Sequence, residues 1–138
     1  MKNFYLLLLL SLFSATAVVA QDVAKIVQVE IDGIWYFLDS PKAGEATVTN
    51  KSGGGGGASG EYSGEIVIPE KVVYEGKEYT VTTIGNSAFK KATITAITIP
   101  ATVTLFEDQT LFNCEELRLI TCYAIEPPLL SSHPFKGM

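Results

Sequence analysis

The sequence predicts a mainly β fold: a short solenoid of parallel strands with short helical or irregular convex turns, preceded by an antiparallel β-hairpin cap. Three observations predict it. Strand-forming runs separated by turn residues fill the chain after residue 26. Hairpin signals crowd its first half. From Glu65 onward one apolar phrase returns at an offset of 22 or 23 residues.

The first twenty residues, "MKNFYLLLLLSLFSATAVVA", stand apart from this pattern. One cation, Lys2, precedes an apolar run from Phe4 to Phe13, and small residues follow as far as Ala20. That order is the anatomy of a secretory signal. The run is shorter than the roughly 20 residues a bilayer span needs, so no stable membrane span is expected after residues 1–20 are removed. Residues 21–64 then read as the hairpin cap, with a Gly-rich loop at 51–60, and residues 65–138 as coils, the last of them incomplete.

Removing Lys2 leaves nine of the ten cations against all 15 acids, a formal net charge of −6 for residues 21–138. No face or segment concentrates Lys or Arg, so nucleic acid is not an expected partner. Cys114 and Cys122 are eight residues apart. Extended chain between them would separate their Cα atoms beyond the roughly 7 Å a disulfide tolerates. Two buried thiols packing as small hydrophobes are therefore expected.

In the cap, "VQVEIDGIWYFLD" (Val27 to Asp39) is two strands joined by Asp32-Gly33, which accepts the positive φ of a tight hairpin. "EATVTN" and "GEIVIP" read as a further pair of strands on either side of "KSGGGGGASG". Five glycines in a row make that segment a flexible loop. A phosphate-binding loop would need Lys-Ser or Lys-Thr after the glycines and then a helix, whereas Lys51 comes before them and a strand follows. "VVYEGKEYTV" reads as one more hairpin, turning near Glu75-Gly76-Lys77.

The repeat itself is countable. Val81 maps to Val103 and Ile84 to Phe106 at offset 22, while Phe89, Ile94, Ile97 and Ile99 map to Phe112, Leu117, Ile120 and Cys122 at offset 23. This places one added residue in the Glu107–Thr110 turn. Ile66 and Ile68 supply an earlier rung. The period falls in the range of leucine-rich-repeat solenoids, in which apolar residues spaced LxxLxL point inward from each strand. Glu107 stands where Gly85 stands one coil earlier, and Gly85 is read there as the residue that accepts a positive φ.

"VTTIGNSAF" at Val81 to Phe89, "ITIP" at Ile97 to Pro100 and F-x-C-x-x-L at Phe112 to Leu117 together resemble the BspA-like leucine-rich-repeat proteins of bacteria. The resemblance extends upstream through "DGIWYFLDS" and downstream through "ITCYAIEPP" and Phe135 to Gly137, covering nearly all of residues 21–138. It implies an exported protein, extracellular or on the cell surface, that acts as a protein-interaction or adhesion module toward host matrix proteins or other cells.

The residues expected to meet a partner are those facing away from the core on the stacked strands. They form two rows, Val67, Thr98 and Thr121 in one and Glu65, Ala96 and Leu119 in the other, with Tyr123 at the strand end. Such solenoid sheets commonly recruit protein partners on their concave face. An equally plain reading makes these residues ordinary exposed β-formers. No catalytic residue, metal site or cofactor is expected. His133 is the one histidine and has no acid beside it in sequence, so metal ligands and a Ser–His–Asp arrangement are both lacking. Glu115-Glu116 and Glu107-Asp108 read as solvated turn residues, and Asn50-Lys51-Ser52 as a chance glycosylation match in a bacterial protein. The alternatives to an adhesion module are a non-binding amino-terminal portion of a longer repeat protein and, more weakly, an exported enzyme or glycan binder. "HPFKGM" looks like a third coil that has only begun, so self-association through an uncapped carboxy-terminal coil is also expected.

Overall fold

A computed structural model describes residues 25–53 and 60–138. The export signal assigned to residues 1–20, and most of the glycine run, lie outside the described residues. The described residues form ten strands and no helix.

Strands β1 (Val27–Ile31) and β2 (Ile34–Leu38) make the first hairpin. Asp32 and Gly33 close it with φ of 50° and 81°, the left-handed pair that a two-residue turn between twisted strands requires. β3 (Glu45–Thr49) adds antiparallel to β2. β4 (Ser63–Val67) belongs to a different sheet. β5 (Lys71–Tyr74) and β6 (Lys77–Ile84) form the second expected hairpin, turning on Glu75 and Gly76 at positive φ. β7 (Thr93–Ile99), β8 (Leu105–Phe106), β9 (Leu119–Cys122) and β10 (Leu129–Leu130) complete the chain.

The large sheet runs β1-β2-β3-β6-β8-β10 with β5 on β6, and the small sheet runs β4-β7-β9. All small-sheet pairs are parallel, as are β3-β6, β6-β8 and β8-β10. Each coil therefore contributes one strand to each sheet, and the core lies between them. The segments at 45–49 and 63–67 lie in different sheets, and the second takes the place of the expected earlier rung, with Ile66 beside Ile97. β3 continues the large sheet beside β6, and β4 starts the small one beside β7. The repeat spacing told where β4 would stack, but apolar alternation alone did not tell which edge β3 would join.

One core row crosses six strands in register: Val29, Tyr36, Val48, Ile84, Phe106 and Leu130. Its middle members are buried, and each such side chain contributes about 1.5–3 kcal/mol by leaving water. The cap is therefore continuous with the repeats, because β3 presents Val48 to β6 just as β6 presents Ile84 to β8. Tyr62 fastens the two parts together. Its hydroxyl donates to Thr49 O at 2.6 Å and accepts from Trp35 N at 3.0 Å, while its ring centroid lies 4.9 Å from that of Phe89. Burial pushes its pKa up to about 12, so the hydroxyl keeps its proton and remains a donor.

The turns stack as well as the strands. Ser87 N, Phe89 N and Lys91 N donate to Asp108 O, Thr110 O and Phe112 O, and Leu111 N and Asn113 N donate to Pro134 O and Lys136 O. In a parallel ladder an amide bonds to the carbonyl preceding its partner, so Phe89 lies over Leu111, which lies over Phe135. Positive φ recurs accordingly at Ser87 and Gln109, and at Lys91, Asn113 and Gly137. This corrects two expectations. Phe89 aligns with the buried Leu111, not with the half-buried Phe112, and the added residue lies in the Glu115-Glu116 turn rather than between Glu107 and Thr110. Two adjacent apolar residues, Leu111 and Phe112, let the apparent alignment slip by one.

Gly85 is needed for a different reason from the one expected. Its φ is not positive. Its amide donates to Val48 O at 2.8 Å, and a Cβ there would stand 2.8 Å from that carbonyl and 2.9 Å from Thr47 Cγ2. Glu107 is tolerated one coil later, where its carboxylate reaches back to accept from Asn86 N at 2.8 Å. Gly85→Ala should therefore lower stability by about 1–3 kcal/mol, read as a drop in urea midpoint at unchanged slope. An unchanged midpoint would show that β3 does not press on this turn.

Candidate protein-binding face

The solvent side of the small sheet is set by strand alternation. Ile66, Ile97 and Ile120 pair across β4, β7 and β9 and point to the core side, so their sequence neighbours must point away. Glu65, Ala96 and Leu119 form one outward row, and Val67, Thr98 and Thr121 form the next. Both rows therefore assemble as expected. Tyr123 follows at the end of β9, its amide donating to Ile99 O at 3.0 Å.

The rows differ in exposure. Val67 is 66% exposed, Leu119 58% and Tyr123 64%, while Ala96, Thr98 and Thr121 are half-buried between them. Adjacent strands lie about 4.8 Å apart, so apolar groups stand at the two edges of a shallow face with small residues between. Ile125, 97% exposed, is a further apolar residue in water, in the connection after β9. Its signal is an isoleucine in the connection "YAIEPP", where no core position exists. The Arg118 guanidinium donates to Glu115 O at 2.7 Å, in the turn that precedes β9.

The core side of the last rung is open. Ile120 is 39% and Leu130 56% exposed, and Cys122 is exposed, whereas Ile97 and Ile99 one coil earlier are buried. Cys122 thus departs from the expectation of two buried thiols: β9 carries no strand on its far side among the described residues. Cys114 is buried, its thiol donating to Phe89 O, and burial raises its pKa despite a bond from the Ala92 amide. The two cysteines are not bonded.

His133 has an acid neighbour after all. Its amide donates to Asp108 Oδ1 at 3.1 Å, and its Nδ1 lies 3.8 Å from the same oxygen. The turn stack brings the two together across 25 residues of sequence. The ring makes no hydrogen bond at that distance, and both side chains are open to solvent. Among the described residues no cluster of three His, Cys, Asp or Glu side chains is placed to hold a metal, and no helix is long and apolar enough to cross a membrane.

Parallel strands stacked coil on coil, with core side chains in vertical rows and irregular turns between, define a leucine-rich-repeat solenoid. Solved leucine-rich-repeat proteins share it. One from Bacteroides capillosus superposes with a TM-score of 0.55 at 28% identity over 69% of this chain and 64% of its own. A leucine-rich cell surface protein from Faecalibacterium prausnitzii gives 0.57 at 24% identity over 75% of this chain and 25% of its own. One from Bacteroides ovatus gives 0.52 at 28% identity over 67% and 22%. This chain thus spans under two-thirds of the first and about a quarter of the other two. No family model and no curated protein sequence matches it. The chain has the leucine-rich-repeat fold, and these bacterial neighbours agree with the BspA-like family that its motifs resemble.

The open rung makes a direct prediction about thiol chemistry. Ellman's reagent should titrate about one thiol, Cys122, rapidly in the native protein and a second only on unfolding, because a buried thiol of raised pKa is unreactive. Two fast thiols would mean that the turn over Cys114 does not hold.

Proposed function

We propose that this chain is an exported or cell-surface interaction module, not an enzyme, that binds a protein partner through the solvent side of its small sheet. The observation that carries the reading is the pair of outward rows in strand register, edged by exposed Val67, Leu119 and Tyr123. Aromatic and aliphatic groups presented on a rigid sheet are the chemistry from which interface anchors are made. The leader-like residues 1–20 and the cell-surface neighbour support export. The His133 ring, exposed and 3.8 Å from the Asp108 carboxylate, lacks the hydrogen bond that would orient a general base, which supports a non-catalytic reading.

Leu119→Glu and Thr98→Glu should leave the thermal midpoint within a few degrees of the parent while removing most retention on an immobilised matrix protein. Burying one uncompensated carboxylate in an interface costs about 2–5 kcal/mol, a loss of at least tenfold. Retention equal to the parent's would remove this face from consideration.

A second reading is the amino-terminal portion of a longer repeat stack. It is favoured by the small share of two neighbours that this chain spans and by the open core side at Ile120 and Leu130. The same rung offers unpaired strand groups to a second copy. Further repeats in frame beyond the Met138 codon would support the longer stack. A stop codon there, with association rising with concentration in sedimentation, would support the second copy instead.

A further inference from the structure

The large sheet has its own solvent face, remote from the rows on the small sheet, and it carries a groove of about 480 Å³. That is within the range of small-molecule sites, roughly 300–1,000 Å³. Its floor is built by strand pairing: Phe37 stands opposite Thr47 and Trp35 opposite Thr49, and Phe37, Thr47 and Thr49 line the groove with Asn86 and Glu107 at its far wall. Two glycines keep it open. A Cβ at Gly85 would meet Thr47 Cγ2 at 2.9 Å, and one at Gly53 would meet Phe37 Cζ at 3.3 Å.

The polar groups of the groove are unevenly satisfied. Thr47 Oγ1 donates to Ser40 O at 3.0 Å. Glu107 Oε2 accepts from Asn86 N at 2.8 Å, which leaves the carboxylate capacity for further donors. Thr49 is the exception. It is 1% exposed, and its Oγ1 has no hydrogen-bond partner. A buried hydroxyl without a partner is destabilising, and here it belongs to a residue that lines a groove.

We propose that this groove binds one saccharide unit of a neutral glycan. The lining contains a half-buried aromatic ring, hydroxyls, one carboxamide and one carboxylate, and no Lys, Arg or His. An anionic ligand would meet only Glu107, and a purely apolar one would strand the polar groups. A sugar ring answers both demands. Its C–H face lies against the electron-rich face of Phe37, one hydroxyl becomes the missing partner of Thr49 once that side chain rotates its Oγ1 toward the groove, and another donates to Glu107. This site is independent of the protein-binding face, and either proposal can fail alone.

The test is saturation-transfer NMR on the full chain, with the methyl glycosides of glucose, galactose, mannose and N-acetylglucosamine as probes. At least one probe is expected to receive transfer at its ring C–H protons. Phe37→Ala should abolish that transfer, with Phe37→Leu as the shape-keeping substitute should the alanine variant not fold. Thr49→Val should weaken binding about fivefold, the loss of one neutral hydrogen bond, while raising the thermal midpoint because the orphaned hydroxyl is gone. Leu119→Glu should leave the transfer unchanged. The proposal is overturned if no probe receives transfer, or if transfer persists at parental strength in Thr49→Val and in the folded Phe37 variant.

Discussion

Parallel pairing at a nearly constant rung length is the constraint from which the rest of this structure follows. When Ile84 lies over Phe106 and Ile97 over Ile120, every other residue between them is forced into a vertical row with its counterpart. Core positions must then be apolar in every coil, and the turns must close on themselves at the same height. The amide-to-carbonyl ladder through Ser87, Phe89 and Lys91 is that closure. It makes the irregular side of the coil as tightly registered as the strands, although no helix forms there among the described residues.

A stack ordered this way has ends, and the two ends differ. At the amino side the core row does not stop at β6 but continues through Val48, Tyr36 and Val29 in strands that are no longer repeats. Antiparallel hairpins can extend a parallel sheet because the next strand needs only a compatible edge and a matching inward row. Tyr62 joins that extension to the first turn through Thr49, Trp35 and Phe89. At the other side the row ends on Leu130, more than half exposed, and Phe135 packs back against Phe106 with centroids 5.8 Å apart. Ordinary core residue types stand in water there because nothing among the described residues stacks on them.

Much of this was legible in the sequence because stacking writes itself at a fixed spacing. The Ile97–Ile120 and Ile84–Phe106 pairs, the outward rows and the two turn dipeptides all follow from periodicity and turn chemistry. The parts that were not legible depend on distance in space without a local pattern. Nothing in "EATVTN" says that it will lie parallel to β6. Gly85 is explained by a carbonyl 37 residues away in Val48, not by its own φ. Asp108 meets His133 only because two turns lie one above the other. Cys122 and Ile120 occupy core positions by pattern, and they are exposed because no strand among the described residues stacks on β9.

A solenoid divides its residues between those that hold the register and those free to vary, and binding surfaces are expected among the free ones. The small-sheet rows obey this: Glu65, Ala96 and Leu119 differ in every coil while the isoleucines beside them persist. The large-sheet groove does not divide so cleanly. Gly85 holds β3 against the first turn and also keeps the groove open, since one Cβ would strike both Val48 O and Thr47. Variation at Gly85 therefore cannot reshape the groove without loosening the cap. Phe37 and Thr49 lie on the outward side of their strands, and their side chains carry no such double duty, so the groove can be reshaped through them without touching that contact.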